Sequence, residues 1–335
     1  MSFLIVIIAN VINYAQSKIR FVAFYFKILS FCHFWLQQLL RYYLQSLIIF
    51  DYFCSMRLIK MTGGLGNQMF IYALYLSMKQ KGINVRIDLS DMVHYHVHHG
   101  YEMRRVFHLP AVEFLMNQKL KKVVEFLFFK TILERKQGGR LEPYFGKQAW
   151  PLIYYKGFYQ NERYFADCKD AIRQAFRFDL TKANEQSLKM MQEMDNEECA
   201  VSLHVRRGDY LLPKHWNSGS VCTLKYYQQA VDEVMRRMPN ARFYVFSDGM
   251  GWVKENIHLP ENAVFVTHNT GNDSWQDMML MSHCRHNVIC NSTFSWWGAW
   301  LNAHEDKLVF CPDRWSTREA ASDYVPESWV QLPTK

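Results

Sequence analysis

From about residue 190 to the C-terminus of this 335-residue chain, short apolar runs alternate with segments of helical period. Residues 199–205, 241–246, 262–267, 286–290 and 307–311 read as strands, and residues 224–238, 251–256, 274–283 and 294–302 as helices. A helix between successive strands brings each new strand back parallel to the last, because a parallel pair needs a long crossover. The alternation therefore predicts a parallel sheet covered by helices on both faces. Such sheets bind ligands at the carboxyl ends of their strands. Three polar clusters fall there: residues 206–210, 247–249 and 291–295.

A second α/β unit opens at Met56. Residues 57–61 read as a strand, Thr62-Gly63-Gly64-Leu65-Gly66-Asn67 as a glycine turn, residues 68–80 as a helix and residues 83–89 as the next strand. A strand, a glycine loop and a helix N-terminus present backbone N–H groups to an anion, although the same glycines would also serve simply to close a tight turn. The middle, about residues 90–186, reads as irregular, with a helical segment over 118–136 and aromatic loops over 144–165. His94, His96 and His98 would share one face of a strand. That is a metal-ligand spacing, but no nearby carboxylate or cysteine completes a set, which favours a solvated or substrate-facing loop.

Residues 1–55 differ from the rest, with Lys18, Arg20, Lys27 and Arg41 against the single acid Asp51 in an otherwise apolar stretch. Residues 21–40 are long enough to span a bilayer, yet Lys27, His33, Gln37 and Gln38 interrupt them at a cost in hydrocarbon. The segment reads as a weak membrane-associating helix, a helical packing extension, or translation from a start placed too far upstream; the last is preferred because a complete βαβ opening begins at Met56.

A chain with 50% apolar and 21% charged residues folds into a globule large enough for two domains, which excludes disorder and fibrous repeats. The net charge of +8 favours acidic partners, namely nucleic acid, anionic lipid or a phosphorylated small molecule; the lack of any run of five basic residues argues against nucleic acid. The eight cysteines never form C-x-x-C, so neither a zinc knuckle nor a redox motif is indicated, and a reducing cytoplasmic compartment fits.

In the cluster His204-Val205-Arg206-Arg207-Gly208-Asp209-Tyr210, strand alternation puts His204 and Arg206 on one face and Arg207 on the other. Arginine at a strand end beside glycine suits bidentate phosphate binding; the alternative is a solvated salt-bridge cluster with Asp209. Ser247-Asp248-Gly249 reads as a turn whose aspartate caps the next helix, or as a ligand contact. Asn291-Ser292-Thr293-Phe294-Ser295 opens a helix, where small hydroxyls satisfy orphan N–H groups or hold a phosphate. Phe294, Trp297 and Leu301 share a helical face and read as core.

Taken in order, residues 63–70, 204–210, 246–248 and 291–298 resemble the motifs of the bacterial α-1,2-fucosyltransferases, glycosyltransferase family 11, a resemblance that runs from Met56 to near the C-terminus. It implies an α/β fold of GT-B type, with two Rossmann-like domains facing a cleft: residues 56–190 on the acceptor side and 191–335 on the donor side. It also implies an enzyme that transfers fucose from GDP-β-L-fucose, with inversion, to the 2-hydroxyl of a terminal galactose of a glycan. By the same resemblance Arg206 binds the β-phosphate with His204 beside it. Gly66 and Asn67 close over the donor, Ser292, Thr293, Phe294 and Ser295 contact the diphosphate and nucleoside, and Asp277 meets guanine. A carboxylate accepts from both N1–H and N2–H₂ of that base. Asp209 and His204 are both candidates for the general base, which stays open. No D-x-D occurs, so no metal and no cofactor is expected, and arginine and helix N-termini carry the diphosphate charge.

Overall fold

The computed structural model describes residues 56–93, 100–109, 113–114, 118–134, 141–146, 152–213, 217 and 221–335. The expectations for residues 1–55 and for His94, His96 and His98 lie outside the described residues.

In the first part of the chain, β1 (Arg57–Lys60) leads through the glycine loop into α1 (Leu65–Gln80) and then β2 (Val85–Asp88). The strands β3 (Glu113–Phe114), β4 (Lys130–Leu133) and β5 (Ile153–Lys156) follow. All pair in parallel, in the order β3-β2-β1-β5-β4. Three expectations need correction. Helix α1 begins at Leu65 rather than at 68, because the turn closes at Gly63, whose φ of +82° is left-handed, and leaves Gly66 and Asn67 inside the first helical turn. The segment read as one helix over 118–136 divides into a helix at Gln118–Phe128 and the edge strand β4. The aromatic stretch read as loop holds β5, an interior strand between β1 and the edge strand β4; a four-residue strand buried on both faces shows no period.

The second part follows the predicted alternation to within about two residues. After α2 (Glu185–Asp195) come β6 (Ala200–Val205), α3 (Leu224–Arg237), β7 (Arg242–Ser247), α4 (Met250–Asn256) and β8 (Val264–Val266). These lead to α5 (Trp275–His283), β9 (His286–Val288), α6 (Thr293–Leu301), β10 (Val309–Pro312), the hairpin of β11 (Arg314–Ser316) and β12 (Glu319–Ala320), and β13 (Val330–Leu332). The sheet order β8-β7-β6-β9-β10-β13, all parallel, is the 3-2-1-4-5-6 order of a Rossmann sheet.

Strand alternation divides the core. Val201, Leu203, Val205, Phe243 and Val245 point to the face covered by α3 and α4; Ala200, Tyr244 and Phe246 point to the opposite face. That opposite face belongs to a continuous core that also takes Ile59, Ile87 and Tyr155 from the first sheet, with α1 packed on α6 between them. Phe70 of α1 lies 4.5 Å from Trp296 and 4.8 Å from Trp297 of α6, ring centre to ring centre. Of the face read as core, Trp297 is fully buried, while Phe294 and Leu301 are half-buried against the same core and Phe294 also reaches the cleft; Trp296 is fully buried beside them.

Candidate active site

The second sheet reverses its strand order between β6 and β9, where chains leaving neighbouring strands in opposite directions open a crevice. That crevice and the carboxyl ends of β1 and β5 in the first sheet face one cleft of about 720 Å³. That volume is ample for a nucleotide sugar. Gly64, Leu65, Gly66 and Asn67 line it from the end of β1, and Phe158 and Gln160 from the end of β5. Opposite them stand His204 near the end of β6, Arg206 and Tyr210 just after it, and Asn291, Ser292, Thr293 and Phe294 after β9.

The two walls meet closely at Gly66. A Cβ there would stand 2.6 Å from the carbonyl carbon of Thr293 and 2.8 Å from the amide nitrogen of Phe294, so only glycine allows α1 to approach the start of α6. Trp297 Nε1 donates to the Gly66 carbonyl at 3.0 Å and fixes this approach. Gln160 Nε2 donates to Asn67 Oδ1 at 2.7 Å. At the head of α6, Ser292 Oγ accepts from Phe294 N–H at 3.3 Å, whereas no side chain caps α1 at Gly64. Two helix N-termini thus bring backbone N–H groups and the positive ends of their dipoles to the cleft.

Arg206 Nη1 lies 2.9 Å from Asp248 Oδ2 across the ends of β6 and β7. Its neighbour Arg207 turns away and stacks on Trp252, 3.9 Å from the ring centre. His204 is buried, with Nδ1 3.2 Å from Cys290 Sγ and its ring 5.9 Å from that of Phe294. Burial, and next the charge of Arg206, push its imidazole down to about 4, so it is neutral at physiological pH. Burial pushes the Cys290 thiol up to about 11, which keeps it protonated.

Asp277 on α5 is half-buried in the cleft wall, and its desolvation there pushes its carboxyl up to about 7, against a 3.0 Å hydrogen bond from Asn269 Nδ2. That amide has no choice of orientation. Asn184 caps α2 by accepting from Ser187 N–H at 2.8 Å, which leaves its Nδ2 to donate to Asn269 Oδ1 at 2.8 Å. Asn269 must then present its NH₂ to Asp277.

The cleft therefore gathers Gly66, Asn67, His204, Arg206, Asp277, Ser292, Thr293 and Phe294. It does not gather Ser295, which is fully buried and donates to Ser292 O at 3.3 Å beneath the site. Asp209 opens a 3₁₀ turn with its backbone, and its side chain lies outside what is described. Sequence reasoning missed Glu102, Phe158, Gln160, Asn269, Trp315 and Glu319, all of which line the cleft. Asn269 follows β8, so the strand-end rule would have found it. Among the described residues no cluster of His, Cys, Asp and Glu suits a metal ion, and no helix is long and apolar enough to cross a membrane.

An alpha-1,2-colitosyltransferase of Escherichia coli is 29% identical over 292 residues, covering 82% of this chain and 97% of the relative. The human galactoside alpha-(1,2)-fucosyltransferase 1 is 33% identical over 159 residues, covering 45% of this chain and 43% of the relative. Among solved structures, a complex of Arabidopsis thaliana FUT1 with GDP superposes at a TM-score of 0.47 and 12% identity, covering 82% of this chain and 76% of that one. The family model described as "Glycosyl transferase family 11" matches residues 55–332, which takes in both sheets and both walls of the cleft, and the chain belongs to that family.

Proposed function

We propose that the chain is an inverting galactoside 2-α-L-fucosyltransferase that carries L-fucose from GDP-β-L-fucose to the 2-hydroxyl of a terminal galactose. The observation that carries this reading is the set of groups gathered in one cleft: a carboxylate suited to guanine at Asp277, Arg206 and the α6 N-terminus suited to a diphosphate, and an opposite wall where Gly66 and Asn67 close over the donor with Gln160 beside them for an acceptor. The second sheet is accordingly the donor side and the first the acceptor side. In the reaction the galactose 2-oxygen attacks the anomeric carbon from the face opposite GDP. The C1–O bond breaks with its electron pair going to the β-phosphate, where the Arg206 guanidinium and the Thr293 N–H at the head of α6 meet the developing charge. The acceptor proton passes to a base on that side of the cleft. His204, with its imidazole pushed down to about 4, is better suited to donate a hydrogen bond than to hold that proton.

A second reading replaces fucose with colitose, and it is favoured by the length of the match to the colitosyltransferase, which extends over 82% of this chain. Both relatives' names specify an α-1,2 linkage. Product analysis with GDP-fucose and GDP-colitose, each against lactose and a set of galactosyl disaccharides, separates the two. A fucosylated galactose with a 1,2 linkage is expected; transfer from GDP-colitose alone, or to a different hydroxyl, would overturn the first reading.

A further inference from the structure

We propose that Asp248 is a positioning residue that sets the Arg206 guanidinium for the departing phosphate, an inference that rests on the donor site proposed above. The β6–β7 register pairs Val205 with Ser247, so Arg206 and Asp248 leave their strands side by side. One carboxylate then makes two bonds. Oδ2 meets Arg206 Nη1 at 2.9 Å and Oδ1 accepts from Arg207 N–H at 2.7 Å, tying the side chain of one arginine to the backbone of the next.

The turn is built around this carboxylate. A Cβ at Gly208 would collide with Asp248 Oδ2, and a Cβ at Gly249 would stand 2.9 Å from Cβ and Cγ of Arg207. Two glycines thus leave room for the pair. Helix capping does not explain Asp248: the N-cap of α4 is Gly249, with no side-chain cap, and the Gly249 N–H is taken by Ser247 Oγ at 2.9 Å.

An anion beside a diphosphate pocket opposes binding of the ground state by like-charge repulsion. It is compatible with function if it acts on the transition state instead. A long side chain held by one edge gives up its rotamer freedom before the donor arrives. The consequence is a defect in turnover and not in affinity when the carboxylate is lost.

Asp248→Asn keeps an acceptor for Arg207 N–H and removes the charge that holds Arg206. In transfer assays with GDP-fucose, it is expected to lower kcat by about 10- to 100-fold, with GDP affinity by calorimetry equal to or tighter than wild type and the melting temperature held. Gly208→Ala crowds Oδ2 of the same carboxylate, the oxygen that holds Arg206, with its charge intact and is expected to lower kcat likewise. A kcat for Asp248→Asn within twofold of wild type would overturn the inference while leaving the transferase reading intact. So would a joint loss of GDP affinity and melting temperature in both variants, the mark of a merely structural role. A wild-type chain that binds GDP yet makes no product would remove the transferase reading and this inference with it.

Discussion

Arg206 and Arg207 are chemically identical neighbours placed in different surroundings: one reaches the cleft beside Asp248, while the other lies on Trp252. Arg206→Lys and Arg206→Ala are expected to lose about 10²- to 10³-fold in kcat, since an ammonium cannot reproduce the paired donors of a guanidinium. Arg207→Lys keeps a cation over the indole and should stay within about tenfold of wild type. Kinetics showing Arg207 as the more sensitive position would overturn the donor-site assignment. Asp277 gives a pH signature. Its carboxyl is raised from 3.8 to about 7, so between about pH 4 and 7 the unfolded chain ionises a group that the folded chain keeps protonated. Folded stability therefore falls as pH rises through that window, by at most about 4 kcal/mol in all. Guanine needs the ionised form, so GDP affinity should weaken as pH falls below about 7. Asp277→Asn should melt higher than wild type at pH 8 without ligand, bind GDP more weakly, and lose that pH dependence. Calorimetry at pH 5.5 and 8 checks all three, and a GDP affinity that is flat with pH in wild type would remove Asp277 from the base-binding role.

At the scale of elements, the start of α1 carries the donor-side geometry through Gly66. In Gly66→Ala the added methyl meets the backbone of Thr293 and Phe294, which cannot rotate away as a side chain would. Overpacking of this kind costs about 1–3 kcal/mol and forces α1 off α6. The variant is expected to melt lower and to lose most of its GDP affinity, and unchanged affinity in a titration would show that the contact is not part of the site. The elements that set this geometry differ in how far the sequence reveals them. The strands and helices of the second sheet are legible because apolar runs and helical periods alternate without interruption, and their polar ends mark the cleft. The junctions that hold Gly66, Asn67, Arg206 and Ser292 are legible as strand ends and helix starts, while the individual roles of these residues come from the family resemblance. The strands β4 and β5 were not legible: β4 is a short, mostly exposed edge, and β5 has no polar face to give it a period. The Asn184–Asn269–Asp277 chain was hidden for another reason, since its members are 8 to 93 residues apart and meet only through the cap of α2.

For the whole molecule, the seam between the sheets decides how they respond to stress. Trp297 stacks on Phe165 at 5.6 Å and an interplanar angle of 19°, takes Phe176 on edge at 5.2 Å, and holds Gly66 through its indole N–H. Residues from the first sheet, the connecting segment and α6 thus share a single aromatic core, and Met56 and Leu58 are buried with Tyr154 in a separate small cluster at the start of β1. A chain beginning at Met56 is accordingly expected to be soluble and to transfer sugar; loss of either property on truncation would show that residues 1–55 contribute to the fold. Chains of this length commonly unfold in steps. Here a common core should make the two sheets unfold together, so calorimetry of the Met56 chain should give one transition, raised as a whole by GDP. Trp297→Ala removes the ring on which both halves pack, at a cost of about 3–5 kcal/mol. It should lower that single transition and weaken GDP binding in parallel, because the approach of Gly66 to Thr293 goes with it. Two resolved transitions in the unmutated chain, only one of them responding to GDP, would mean that the sheets are energetically separate and that the aromatic seam does not couple the walls of the cleft.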